Sequence, residues 1–281
     1  MGFQQILCPV DFSELSALAL RYAAKLAKCS GGRLTAMYAD PFLPPPYFTE
    51  SGLEELRRQL QDSRRQAEAY LRKFVRATLG DSDDVDVRVE EGLPADAIRR
   101  AAAGSPFDLI VMGTHGRSGI NRLMLGSVTE RVLREASVPV LAVRGDTQSV
   151  EVKHILCPVN DSPIALQALR TAAGLVRCFG AAVTVLHVRE AGATDSIEDL
   201  CSWIPDSERA GCAIREITAE GDVAQAVIAR ASEINADLVV LGARHRRFFD
   251  ATVIGATTIR MLRHAPCPVL AVFAPSGRPP A

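Results

Sequence analysis

The pentapeptide ILCPV stands at residues 6–10 and again at 155–159, and PVLAV stands at 139–143 and again at 268–272. Identities at the beginning and end of two successive stretches mean that one fold is written twice. The opening pair lies 149 residues apart and the closing pair 129, so the first copy carries about 20 more residues. Cys29 and Cys178 keep the longer spacing, whereas Gly92 and Gly221, Asp108 and Asp237, and Gly113 and Gly242 keep the shorter one. The extra residues therefore fall between about 40 and 85. The 281 residues divide into units 1–147 and 148–281, joined by a short polar stretch at 145–151. A tether so short leads us to expect that the two units pack on each other as two chains would in a dimer.

Each copy alternates apolar runs with stretches of helical period. After the run at 3–10, Leu15, Leu18, Ala19, Tyr22, Ala23 and Leu26 recur on one helix face. A strand at 34–39 and a Pro-rich loop at 41–46 come next. A helix with the stripe Leu53, Leu56, Leu60, Ala67, Leu71 and Phe74 follows, then a strand at 86–90 and a helix at 94–103. The copy closes with a strand at 108–112, a helix at 127–136 and a strand at 138–143. The second copy repeats the strands at 153–159, 183–188, 212–218, 237–241 and 269–273, with a weaker helix former at 192–211. Near-continuous apolar runs separated by helices imply a parallel sheet covered on both faces.

Lys plus Arg is 32 and Asp plus Glu is 33, split 19 to 19 before residue 147 and 13 to 14 after it. Neither copy hides a basic module, which argues against nucleic acid or an anionic membrane as partner. The arginines between Arg57 and Arg76 alternate with Glu54, Glu55, Asp62 and Glu68, the pattern of a solvated helix face. No apolar run approaches the roughly 20 residues of a membrane span, and the N-terminal stretch has no secretory pattern. The seven cysteines include no C-x-x-C pair and no zinc spacing. They read as free thiols in a reducing, cytoplasmic setting.

The richest glycine cluster begins at Gly113, directly after the fourth strand, and runs into the helix at 127. Glycine lets backbone approach a phosphate, and helix-start N–H groups point at whatever lies there. A dinucleotide fingerprint is absent, because CPVDFSE occupies the turn after the first strand. There is also no P-loop and no G-x-S-x-G elbow. The spacing Gly113, Gly116, Gly126, Ser127 reproduces G-x2-G-x9-G-[ST] and resembles the nucleotide motif of the universal stress protein (UspA) family. The match extends to Pro9, Val10 and Asp11, to Met112, and to Val128 and Thr129.

That resemblance covers nearly the whole chain. It implies two Rossmann-like α/β domains, each a five-stranded parallel sheet of order 3-2-1-4-5. It implies that Asp11 meets a ribose, that Val10 and Ala39 frame an adenine, and that Gly113, Gly116, Gly126, Ser127, Val128 and Thr129 surround phosphates. ATP or ADP is then the ligand, accompanied by Mg held mostly by phosphate oxygens. The family's role is stress response.

The second copy departs from the pattern: Asn160 replaces Asp11, His245 replaces Gly116 and Ala256 replaces Ser127, while Gly242 and Gly255 remain. A degenerate site is expected there, in which Val188, Arg244, His245, Arg246 and Thr257 could hold a differently bound anion. Plainer roles stand beside these. Ser127 and Glu130 form an S-x-x-E capping box, and Asp11 or Asn160 could each be an N-cap. His115 and His245 have no evident carboxylate partner and read as loop histidines. A scaffold that binds no nucleotide and a slow ATPase are the two rival readings of the whole chain.

Overall fold

The computed structural model describes residues 2–41, 50–81, 84–116, 125–145, 150–189, 213–248 and 251–273. The first copy runs β1 (Gln5–Val10), α1 (Glu14–Ser30), β2 (Arg33–Asp40), α2 (Glu50–Leu79), β3 (Val85–Glu91), α3 (Pro94–Gly104), β4 (Leu109–Gly113), α4 (Ser127–Glu135) and β5 (Val140–Val143). The second runs β6 (His154–Val159), α5 (Pro163–Phe179), β7 (Ala182–Arg189), β8 (Ala213–Glu220), α6 (Val223–Glu233) and β9 (Leu238–Ala243). It finishes with β10 (His245–Phe248), β11 (Ala251–Ile254), α7 (Ala256–His264) and β12 (Val269–Phe273).

Ten strands form one sheet in the order β3-β2-β1-β4-β5-β12-β9-β6-β7-β8. Each half is parallel in the expected order 3-2-1-4-5. The halves join where β5 and β12 pair antiparallel, with Leu141 opposite Leu270. Helices cover both faces. Leu18, Leu71, Leu169 and Val185 lie in the apolar layer beneath α1, α2 and α5. Ile98, Leu133, Val227 and Leu262 lie in the other, beneath α3, α4, α6 and α7.

The same local devices build both copies. Ser13 caps α1 by accepting from the Ser16 N–H, and Gly31 ends it at φ 63°. Ser162 caps α5 by accepting from the Ala165 N–H, and Gly180 ends it at φ 68°. Both ends follow ordinary capping chemistry, a hydroxyl for orphan N–H groups and a left-handed glycine to stop. The repeated aspartate has a structural reason as well. Asp108 accepts from the N–H groups of Gln4 and Gln5 at 2.7 and 3.0 Å. Asp237 accepts from those of Lys153 and His154 at 2.8 and 2.9 Å. Each carboxylate ties the start of the fourth strand to the start of the first.

The extra residues of the first copy fall in the stretch that contains α2, whose Leu71 and Val75 are buried. Its arginines behave as a solvated face: exposed Arg72 pairs with half-buried Glu68 at 2.6 Å, and Arg65 with Asp62, both exposed, at 3.9 Å. The expected weak helix at 192–211 lies outside the described residues. No helix among the described residues is long and apolar enough to cross a membrane.

Two expectations need correction. The cysteines are not all free: Cys29 and Cys178 form a disulfide, with Cα atoms 5.5 Å apart. Spacing along the chain gave no warning, because the pair meets only when the C-terminal ends of α1 and α5 lie side by side. Cys8 and Cys157 are buried core residues as expected. Burial pushes the Cys157 thiol up to about 12 and Cys8 further the same way. The second correction concerns the Arg-rich loop after β9, which is not open chain. Its backbone folds into the hairpin β10–β11, with His245 opposite Ile254.

Candidate functional site

Along β2, β1 stays paired as far as Val10 opposite Tyr38, but along β4 it is paired only at Ile6 with Leu109 and Leu7 with Ile110. Pro9 has no N–H to give, and the ladder stops before it. The helix after β1 lies on one face of the sheet and the helix after β4 on the other, so this is the topological switch point. A cleft of about 420 Å³ opens there, within the size range of small-ligand sites. Every residue singled out in the first copy, from Pro9 to Thr129, lines it.

The three glycines of the motif have three different neighbours. A Cβ on Gly113 would meet Leu15 Cγ at 3.0 Å, so this glycine lets α1 pack on β4. Gly242 does the same, since a Cβ there would meet the Ile164 carbonyl oxygen at 2.9 Å. A Cβ on Gly116 would collide with Asp11 Oδ2, and one on Gly126 would meet the Thr114 carbonyl oxygen at 3.1 Å. Gly116 thus lets backbone lie against the Asp11 carboxylate, and Gly126 lets the start of α4 lie against Thr114 and His115.

The start of α4 is electropositive. Gly126, not Ser127, is the N-cap, and it makes no side-chain cap bond. The expected capping box is therefore absent: Glu130 pairs with Arg134 at 2.9 Å and with Arg263 at 3.4 Å. Local sequence showed the S-x-x-E letters but not that the loop enters one residue earlier. The first helical hydrogen bond runs from the Glu130 N–H to the Gly126 carbonyl at 2.8 Å. The N–H groups of Ser127, Val128 and Thr129 thus point out of the helix end, where the macrodipole favours an anion. The Thr129 hydroxyl is used inside the fold, donating to the Gly113 carbonyl at 2.8 Å.

Neither Asp11 nor Asn160 is an N-cap. Instead, Asp11 Oδ1 accepts from the Ser13 N–H at 3.0 Å and the Ser13 hydroxyl at 2.6 Å. Between them, Phe12 sits at φ 64°, a strained conformation for a side-chain-bearing residue. Tyr38, Tyr70 and Phe74 hold its ring, with centroids 4.8, 4.7 and 5.4 Å away.

Sequence reasoning missed several walls of the cleft. Met37, Tyr38, Pro94 and Ile98 line it, as do Ser16 and His115. Met37 and Ile98 are buried and read in sequence as ordinary core positions. His115 Nδ1 lies 3.1 Å from Thr114 Oγ1, and among the described residues it meets no carboxylate.

The second copy keeps the frame. The β6–β9 ladder also stops before its proline, at Leu156 opposite Val239. Asn160 and Val188 follow or end their strands, Gly242 ends β9 with Ala243, and Gly255, Ala256 and Thr257 open α7. Arg244 is exposed and its carbonyl accepts from the Gly255 N–H at 3.3 Å. His245 and Arg246 lie on β10, and their side chains are outside the described residues. Where the first copy has Tyr38, the second has His187, which is buried. Its Nδ1 lies 3.2 Å from the Val159 carbonyl, and its Nε2 has no partner among the described residues.

Residues 2–144, and again 151–272, match the sequence model of the Universal stress protein family. The chain belongs to that family. This tandem universal stress protein is 33% identical over 147 residues to one from Methanocaldococcus jannaschii, covering 50% of this chain and 82% of the other. A universal stress protein of Mycolicibacterium smegmatis aligns along nearly the whole length, 24% identical with 95% and 96% covered. The fold is shared with the crystal structure of a universal stress protein from Archaeoglobus fulgidus. There the TM-score is 0.72 at 23% identity, over 96% of this chain and 98% of that one.

Proposed function

We propose that the first unit, residues 1–147, binds an adenine nucleotide, ATP or ADP, and that occupancy regulates the protein's part in a cytoplasmic stress response. The observation that carries this reading is the cluster of outward N–H groups at Ser127, Val128 and Thr129, at the mouth of a cleft walled elsewhere by Met37 and Ile98. A polyphosphate suits the first end and a flat apolar base the second. Asp11 stands between them, where two ribose hydroxyls would donate to its carboxylate. Among the described residues no three His, Cys, Asp or Glu side chains cluster as a metal cage. A Mg ion would rest on phosphate oxygens and water.

The second unit, 148–281, is a degenerate copy in this reading. Asn160 and the hairpin β10–β11 stand where the first copy has a carboxylate and the glycine loop. The two units, joined edge to edge through β5 and β12, would serve as an intramolecular counterpart of a dimer, and further pairing of chains would be a homodimer of these.

Calorimetric titration of the full chain with ATP and with ADP tests the proposal. One nucleotide per chain is expected, with Gly126→Val abolishing binding while the circular dichroism spectrum is kept. No heat with either nucleotide would leave the scaffold reading in its place.

A further inference from the structure

Between the two copies lies a second cavity, of about 800 Å³, that the nucleotide reading does not use. One side is the amino-terminal edge of the first copy, with Phe3, Gln4, Asp108 and Pro139. The other is a stripe of α5: Gln167, Arg170, Thr171, Gly174 and Cys178, at the spacing of one helix face. The Cys29–Cys178 disulfide lies in its wall.

Asymmetry between the copies makes the space. The matching stripe of α1 carries Tyr22 where α5 has Thr171, and Lys25 where α5 has Gly174. Tyr22 is buried, and its phenol is pushed up to about 12, first by that burial and then by the nearby Asp237 and Cys267. A phenol ring thus fills the α1 junction with the second copy. On the α5 side a hydroxyl and a hydrogen replace the ring and the lysine, and the junction stays open.

Besides Arg177, which already has an interaction of its own, two groups in the cavity wall can react or bind. One is the disulfide, with Cys29 exposed and Cys178 half-buried. The other is Arg170, exposed and with no hydrogen-bond or ion-pair partner among the described residues. Arg170 lies eight residues before Cys178, about 12 Å along the helix axis. Asp108 shares the cavity wall, but its carboxylate is held by the Gln4 and Gln5 N–H groups and forms no ion pair with Arg170 among the described residues.

We propose that this cavity is the docking site of a small peptide thiol carrying a carboxylate roughly 10 Å from its sulfur, and that the thiol opens and closes the Cys29–Cys178 clasp. Arg170 holds the carboxylate. The ligand thiolate attacks one cysteine Sγ, forms a mixed disulfide, and expels the other cysteine as a thiolate, which takes a proton from water. A second ligand thiolate attacks the mixed disulfide. The products are the ligand disulfide and two cysteine thiols; closing the clasp runs the same steps backwards with the ligand disulfide as oxidant. A bond of this kind reconciles a disulfide with the reducing compartment in which most such bonds are transient.

The test uses the oxidised full chain and two probes, glutathione and its diethyl ester, at equal thiolate concentration. Acid-quenched samples are followed by intact mass. The acid form should open the clasp about tenfold faster than the ester, the worth of one charge-assisted hydrogen bond. Bulk charge cannot produce that preference, since the chain carries a formal net charge of −1. Arg170→Ala should erase the preference and leave the ester's rate unchanged, and Arg170→Lys should restore part of it. Equal rates for the two probes in the wild type, or a preference that survives Arg170→Ala, would overturn the proposal. So would iodoacetamide labelling that finds Cys29 and Cys178 both free in air-oxidised protein.

Discussion

The Asp11 carboxylate takes the Ser13 hydroxyl at 2.6 Å, and the amide of Asn160 takes the Ser162 hydroxyl at the same distance. The hydroxyl brace is the same with a carboxylate or an amide, so it does not explain the charge of the first copy; Asp11 also takes the Ser13 N–H, whereas the Ser162 N–H goes to the Asn160 carbonyl. Asp11→Asn should change stability by less than about 0.5 kcal/mol, as for a change that keeps its hydrogen bond. It should weaken ATP or ADP binding about tenfold, because an amide is a poorer acceptor for two ribose hydroxyls. Urea unfolding and calorimetry on the same sample separate the two effects. Unchanged affinity would remove Asp11 from the ligand site.

Gly116→Ala places a methyl group against Asp11 Oδ2. The carboxylate must swing or the loop must rise. The expected loss in nucleotide affinity is at least about tenfold. A full-affinity Gly116→Ala protein would mean that the close approach of Gly116 to the carboxylate plays no part in binding.

Thr129→Val keeps the shape of a buried side chain but removes its bond to the Gly113 carbonyl. About 1 to 2 kcal/mol of stability should be lost, the toll of an unpaired buried carbonyl, read as a lower urea midpoint at unchanged slope.

Cys29→Ser removes a link that closes 149 residues of chain. Stability should fall by about 2 to 4 kcal/mol, and wild type in excess reductant should unfold at the same midpoint as the variant. A variant that matches oxidised wild type would show that the clasp adds nothing.

Tyr22 gives a pH signature. Its phenol is raised from 10.0 to about 12 in the folded chain, so the native state keeps its proton when the unfolded state has lost it. The associated stability is complete below pH 10 and disappears as pH rises through about 12. Tyr22→Phe should flatten that part of the alkaline unfolding curve.

Much of this was legible because the repeat writes the alternation of strands and helices twice, and the family resemblance supplied the strand order. The first strand, the glycine positions and Asp11 all fell where the cleft is, since Pro9 and Gly113 act through backbone geometry that the letters reveal. What the letters hid depends on tertiary neighbours. Met37 and Ile98 are apolar whether they face a core or a base. The S-x-x-E pattern at Ser127 did not show where the loop would enter α4, and Gly126 took the cap. Cys29 and Cys178 carry no local signal, because only the docking of α1 on α5 brings them together.

One further consequence lies in the order of synthesis. β5 ends at Val143 and its neighbour β12 begins at Val269, so the strand that covers this edge is made 126 residues later. At about 5 to 20 residues per second that is a delay of roughly 6 to 25 s on the ribosome. Throughout it, the nascent first copy exposes a fully apolar strand edge, the kind that recruits wrong partners. The protein is therefore most vulnerable while it is being translated, and a chaperone that shields Val140–Val143 would act in that interval.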